Sequence, residues 1–223
     1  APRRTPSEMI PLYHDFTDET VLVFGGGPVG ARKARRFARE ADVVVVSPEF
    51  PADDYGDAER VRTAPDAGAV SGWFERATPA LAVAATDDPA VNEAIESAAQ
   101  RRGVLVNRAD HAGGRDADSV VVPATVRDEG VTVAISTGGR SPALSKELRK
   151  RIEAEIEGAG ELAELTAEIR RSLKTDGVDP TSRRQAIREV VRSTAVWKDL
   201  GEGDANPRQT VDAVVEAALG DRT

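Results

Sequence analysis

VLVFGGGPVGARKARRF, from Val21 to Phe37, decides how the chain is read. Its four leading apolar residues are bounded by glycine, the pattern of a short buried strand. Gly25-Gly26-Gly27-Pro28-Val29-Gly30 then fits G-x-G-x-x-G, and an arginine-rich amphipathic run follows. A strand before and a helix after is the setting in which this pattern grips a dinucleotide. Gly25 permits the tight turn, Gly27 lets the backbone approach a pyrophosphate, and Gly30 allows close helix–strand packing. The helix N-terminus faces the anion, and Pro28 suits the first turn, where a missing N–H costs little. The periodicity predicts a helix over 28–40, with Val29, Lys33 and Phe37 on neighbouring positions and arginines outside.

Working outward, DVVVVSP (42–48) reads as a second buried strand ended by Pro48. In this kind of site an acid near that strand end holds the ribose hydroxyls. Here the strand ends Ser47-Pro48-Glu49, so Ser47, Glu49 and the following Phe50 are the candidate contacts. No arginine stands at that strand end, which favours NAD over NADP. A polar, acidic loop covers 51–59, a weak strand lies around Val61, and a helical piece carries Trp73 and Phe74. ALAVAAT (80–86) is the next strand, Asp88 to Arg102 the next helix, and VLVN (104–107) another strand. Strand and helix alternate with short connections, so Met9 to about Asp110 is expected to form a Rossmann-type doubly wound parallel sheet.

The rhythm then changes. SVVVPATVRDEGVTVAIST (119–137) holds two strand-like runs joined by Asp128-Glu129-Gly130, a hairpin turn. A helix from Pro142 to about Glu157 follows, with Gly158-Ala159-Gly160 expected to end it. The remainder is helical and charged, broken near 176–180 and 201–207. This gives an α/β chain in three parts: a dinucleotide-binding domain over 9–115, a hairpin-and-helix unit over 116–160, and a helical domain over 161–223.

Composition narrows the function classes. With no cysteine there is no disulfide, thiolate metal site or cysteine nucleophile. No apolar run is long enough for a transmembrane helix and no charged-then-apolar leader is visible, so a cytoplasmic protein is expected. The net charge of −8 makes a poor general nucleic-acid binder. Lysine occurs only at Lys33, Lys146, Lys150, Lys174 and Lys198, with arginine supplying the other basic residues. An acidic, lysine-poor surface suits a salt-rich cytoplasm, although codon bias gives the same usage. APRRTPSE before Met9 reads as an extension of the folded chain.

Three further segments carry chemistry: AATDDPAVN (84–92), VLVNRADHAGG (104–114) and AISTGGRSPALSKELR (134–149). With Met9-Ile10-Pro11-Leu12 and GGGPVGARKA, their ordered combination resembles the precorrin-2 dehydrogenases, the amino-terminal portion of siroheme synthases, some of which also insert iron. The likeness runs to about Arg151 and is weak beyond Gly160. It implies oxidation of precorrin-2 to sirohydrochlorin with NAD as hydride acceptor, and an intertwined homodimer built through the hairpin. It also implies that Asp110 is the catalytic aspartate.

The residues themselves suit such work. Asp110 follows a strand's carboxyl end, where doubly wound sheets place their ligands, and a carboxylate there can take the proton released by a dehydrogenation. A loop aspartate forming a local turn would look the same without the motif. His111 adjoins it, and the only other histidine is His14, so no resident metal is expected. Thr86 and Asp87 end the fourth strand on the nicotinamide side. Asn92 is read as capping or packing the next helix, and Asn107 as orienting Asp110. Ser136-Thr137-Gly138-Gly139-Arg140-Ser141-Pro142 is again strand, glycines, helix, with Ser141 an N-cap. Its free amides and Arg140 suit the carboxylates of a tetrapyrrole, as do Arg108 and Arg115, although an ordinary helix cap with solvent-facing arginines looks the same. The resemblance implies that Thr137 places a hydroxyl near the active site, and Asn107, Thr137, Gly138, Arg140 and Ser141 form the candidate substrate set. A dinucleotide-sensing module without catalysis is the competing reading. It needs neither a proton acceptor nor a polyanion pocket.

Overall fold

The computed structural model describes residues 10–51, 53–110, 119–201 and 205–220. Met9, His111 and Arg115 therefore lie outside the described residues. Five strands, β1 (Thr20–Phe24), β2 (Asp42–Ser47), β3 (Glu59–Arg62), β4 (Leu81–Ala84) and β5 (Leu105–Arg108), pair in the order β3-β2-β1-β4-β5. Every pairing is parallel. Strand order reverses between β1 and β4, and doubly wound sheets take their ligands outside the carboxyl ends at such a switch.

Both faces of this sheet are covered, which is why its strands read as nearly continuous apolar runs. Alternate β1 residues serve opposite cores. Val21 and Val23 join Ala31 and Ala34 of α1 (Pro28–Phe37), while Leu22 and Phe24 join Phe74 of α2 (Val70–Ala77) and Ile95 of α3 (Pro89–Arg102). The buried residues of α1 are Gly30, Ala31 and Ala34. Small residues there let the helix lie close to the sheet, and Val29 is left 38% exposed. The helix stops at Phe37, short of the expected Glu40, because the amides of Glu40 and Ala41 turn back onto the Phe37 carbonyl.

The backbone contacts divide the chain into two units, one running to Val122 with Gly138–Arg140, the other Pro123–Thr137 with Ser141 onward. In the second, β6 (Ala124–Asp128) and β7 (Val131–Ile135) form the expected antiparallel hairpin, Glu129 adopting φ 47° at the turn. SVVV is not part of it. Ser119 bridges Val106 in parallel and the Val120 amide donates to the Val106 carbonyl, so this run joins β5. Pro123, which has no N–H to give a ladder, separates the two.

Helices α4 (Pro142–Glu155), α5 (Ala159–Thr175), α6 (Pro180–Arg192), α7 (Thr194–Gly201) and α8 (Pro207–Gly220) complete the unit. Gly158-Ala159-Gly160 does more than end α4. Gly160 lies within α5, its amide donating to the Asp128 carboxylate at 2.9 Å, and a side chain there would strike the hairpin turn. Leu162, Ile169, Ala186, Val190, Val196 and Val211 make a separate core. No helix among the described residues is long and apolar enough to cross a membrane.

Candidate functional site

The glycine turn connects β1 to α1 at the switch point. Gly25 sits at φ 109°, where a side chain is strained and would strike the Ala85 carbonyl after β4. A Cβ on Gly30 would strike the Gly25 carbonyl, so the close packing expected of the third glycine is made against the turn itself. A Cβ on Gly27 would meet nothing within 4 Å. That residue is the N-cap of α1 and offers no side chain to the first-turn amides. An uncapped helix start behind an open approach is the form of an anion cradle.

Two neighbours of this turn carry no motif in the sequence. Tyr55 lies within the acidic loop yet is 4% exposed, and its hydroxyl donates to the Gly26 carbonyl. Burial, then the nearby Asp53 charge, pushes its phenol above the ordinary range. A lone aromatic in a run of acids was the available signal. The second neighbour is Arg62. The β2–β3 register sets it opposite Ser47, its guanidinium donating to the Pro48 carbonyl at 3.3 Å and lying 5.7 Å from the Phe50 ring centre. The absence of an arginine at the β2 end therefore holds only along β2 itself. Ser47 is buried there, and Glu49 is exposed.

One strand over, Asp88 rather than Asn92 caps α3, accepting from the amides of Ala90 and Val91. Asn92 is 1% exposed and reaches in two directions. Its Oδ1 accepts from the Thr86 amide at 3.2 Å and the Thr86 hydroxyl at 2.7 Å. Its Nδ2 donates to the Thr86 carbonyl at 2.9 Å and to Asp110 Oδ2 at 3.2 Å.

Asp110 leaves the end of β5 with its carboxylate in a fork. Arg108 Nε donates to one oxygen at 2.9 Å and Nη2 to the other at 2.7 Å. Bidentate, charge-assisted pairs of this kind fix orientation as well as add energy. Arg108 Nη1 also donates to Glu96 of α3 at 2.6 Å. The Arg108 side chain is 5% exposed against 27% for Asp110, so the guanidinium forms the floor and the carboxylate looks outward. The hydrogen bond to Asp110, ahead of the Glu96 contact, holds the guanidinium above its ordinary range.

Two expectations change here. Arg108 is committed to Asp110 and Glu96 and does not serve as a surface donor for substrate carboxylates. Asn107 does not orient Asp110. Its Nδ2 donates to the Val120 carbonyl at 2.7 Å, pinning the returning chain to β5, and its buried Oδ1 has no hydrogen-bond partner among the described residues. The residues that do hold Asp110, Asn92 and Arg108, stand 18 and 2 positions away in sequence.

In the second unit, the Thr137 hydroxyl is engaged with Ser141 and, at 3.0 Å, with the Ser145 hydroxyl. Ser141 caps α4 as expected, accepting from the Leu144 amide at 3.2 Å. Gly138 and Gly139 both adopt positive φ, and Arg140 is exposed. No group of residues that could hold a metal ion occurs among the described residues.

Residues 12–124 match a family described as "Putative NAD(P)-binding", and 128–155 match one described as "Sirohaem biosynthesis protein central". The chain is 30% identical over 96% of both lengths to a precorrin-2 dehydrogenase of Methanosarcina barkeri. It is 32% identical to a siroheme synthase of Chromobacterium violaceum, of whose length the match covers 45%. The solved structure of SirC, a precorrin-2 dehydrogenase, shares the fold with a TM-score of 0.68 at 22% identity, covering 94% of this chain and all of that one. With the glycine turn, the Thr86 turn and Asp110 on successive strand ends, the chain belongs to the family of precorrin-2 dehydrogenases and the matching portion of siroheme synthases.

Proposed function

We propose that this chain oxidises precorrin-2 to sirohydrochlorin with NAD as acceptor, the dehydrogenation step of siroheme formation. The observation that carries this reading is the Asp110 carboxylate, held by Arg108 and Asn92 at the same edge of the sheet as the glycine turn. Full-length similarity to a precorrin-2 dehydrogenase supports the choice of substrate. Forming the new double bond removes one hydride and one proton. Bound NAD supplies the hydride acceptor.

The chain's own residues do the rest. Gly25, Gly27, Pro28 and Val29 cradle the pyrophosphate. The open space at Gly27, beside the tightly packed Gly25 and Gly30, fits that role. Ser47, Glu49 and Phe50 line the adenosine side and Thr86 the nicotinamide side. Asp110 accepts the proton. Arg140, Thr137 and the amides around Gly138 and Ser141 meet the polar periphery of the tetrapyrrole, whereas Asn107, 2% exposed, serves the packing of β5 instead. If iron insertion occurs on this chain, ferrous iron is a substrate and Asp110 the acceptor for the pyrrole N–H protons.

The protein works as a homodimer in this reading. Helix α4 has no buried residue and Leu144 is 50% exposed, so the hairpin and α4 offer apolar surface for a second copy to cover.

Anaerobic incubation with freshly made precorrin-2, with and without NAD, tests the activity through the absorbance of sirohydrochlorin. NAD-dependent product is expected, and Asp110→Asn should lower turnover by about 10²–10⁴-fold while leaving NAD bound. Bound NAD with no product would leave a dinucleotide-sensing module instead. Adding ferrous iron to the finished product asks the chelation question separately.

A further inference from the structure

Asn92 is a buried amide whose contacts exceed what a helix start requires. Asp88 already caps α3, and the Asn92 backbone amide is satisfied by the Asp88 carbonyl. Both polar atoms of the side chain are nonetheless used, and used on two different elements. Oδ1 and Nδ2 together take the amide, hydroxyl and carbonyl of Thr86 after β4, while Nδ2 also reaches Asp110 after β5. Glu96 stands one helical turn further along α3 and holds Arg108, which forks onto the same carboxylate. Positions i and i+4 share a helix face. One face of α3 therefore holds Asp110 at two points, directly through Asn92 and indirectly through Glu96 and Arg108.

We propose that Asn92 is a positioning residue for the reaction, tying the Thr86 turn to the Asp110 carboxylate so that the cofactor-side backbone and the proton acceptor keep a fixed relative aim. This rests on the reading of Asp110 as proton acceptor beside a dinucleotide. The Asn92 side chain touches neither reactant. It acts through the two groups that do. The amide of Asn92 adds a contact from α3 to the fork made by Arg108, and sets the carboxylate against the Thr86 turn. Misplacing a reacting group by about 1 Å can cost on the order of 10²-fold in rate.

The test uses Asn92→Ala, Asn92→Asp, Asp110→Asn and the double variant Asn92→Ala/Asp110→Asn. Turnover, both KM values and amide hydrogen exchange at Thr86 are measured on the full chain. Asn92→Ala should lower kcat by about 10–100-fold with each KM within about threefold, the split of an interaction felt in the transition state. Exchange at the Thr86 amide should quicken. Asn92→Asp keeps the acceptor for Thr86 and loses the donor to Asp110, so it should lose kcat similarly while the Thr86 amide stays protected. It also carries the test if the alanine variant fails to fold. In the Asp110→Asn background, adding Asn92→Ala should lower kcat no further, because residues acting as a unit are not additive.

If kcat stays within twofold of wild type in the Asn92 variants while Asp110→Asn is inactive, the positioning role is overturned and the assignment of Asp110 stands. Losses that multiply in the double variant overturn it too, since Asn92 would then act independently of Asp110. Full turnover in Asp110→Asn brings down the assignment of Asp110 itself, and the role of Asn92 with it.

Discussion

The central strand of the first unit and the first helix of the second unit are built on opposite terms. In β1, Val21, Leu22, Val23 and Phe24 are fully buried between two helical layers, and the sheet satisfies itself within one chain. In α4, fourteen residues run beside the hairpin and none is buried. The first arrangement holds a site because its backbone cannot move far: the glycine turn abuts the Ala85 carbonyl, and the Asp110 carboxylate is forked by a buried arginine. The second leaves apolar surface open, Leu144 among it, where the proposed second copy would pack. The difference teaches where a substitution should change chemistry, where it should change folding, and where it should change only assembly.

The largest contrast should appear within the glycine turn, between residues two positions apart. Gly25→Val forces a branched side chain into φ 109° and onto the Ala85 carbonyl, costing about 3 kcal/mol or more. Thermal unfolding should show a large fall in Tm. Gly27→Asp enters open space at an ordinary φ of −74°, at an N-cap where aspartate is favoured. Its stability should hold or rise, and NAD affinity should drop by about 100-fold or more as the carboxylate repels the pyrophosphate. Equal Tm losses in the two variants would erase the distinction between a packed and an open glycine. Undiminished NAD binding in Gly27→Asp would move the pyrophosphate elsewhere.

A smaller effect is expected at α4, and in a different observable. Leu144 is half exposed, so Leu144→Asp should change the stability of a single chain by no more than about 0.5 kcal/mol. As an apolar anchor of the proposed dimer it should weaken association by about 2 kcal/mol or more, read by sedimentation across a concentration series. NAD affinity should not change. A dimer as tight as wild type would mean that α4 does not face the second copy.

How much of this was legible in the sequence follows from the kind of signal each part leaves. Buried strands and their connecting helices announce themselves through apolar runs and periodicity, and the glycine turn through fixed spacing. The hairpin is visible at Asp128–Gly130, but SVVV is β-branched whichever strand it joins, and only Pro123 hinted at the division. Asp110 was reached through its place in a motif. The groups that hold it were not, because parallel register creates their meaning: β4 and β5 align Ala84 with Arg108, and α3 then brings Asn92 over both strand ends. A polar residue in a helix looks the same in sequence whether it faces water or a carboxylate. Tyr55 escaped for a related reason, since a loop rich in acids reads as solvated throughout.

Arg62 is the sharpest case of the same limit, and the smallest expected effect. Fourteen residues separate it from Ser47 in sequence, yet the β2–β3 register places them side by side. An exposed guanidinium near Phe50 stands at the strand end where NADP would carry its 2′-phosphate. In the proposed reading Glu49, two residues past β2, accepts from the ribose hydroxyls, so NAD should bind more tightly than NADP. The arginine should soften that preference. Arg62→Ala should therefore weaken NADP by about 1 kcal/mol, roughly fivefold, a modest charged contact near a surface, and leave NAD within about twofold. Paired titrations of both dinucleotides read this directly. Equal losses for both would make Arg62 a packing partner of Phe50, and no loss for either would remove the β3 end from the cofactor site. A loss confined to NADP would show that the strand neighbouring β2, and not β2 alone, sets how the ribose is read.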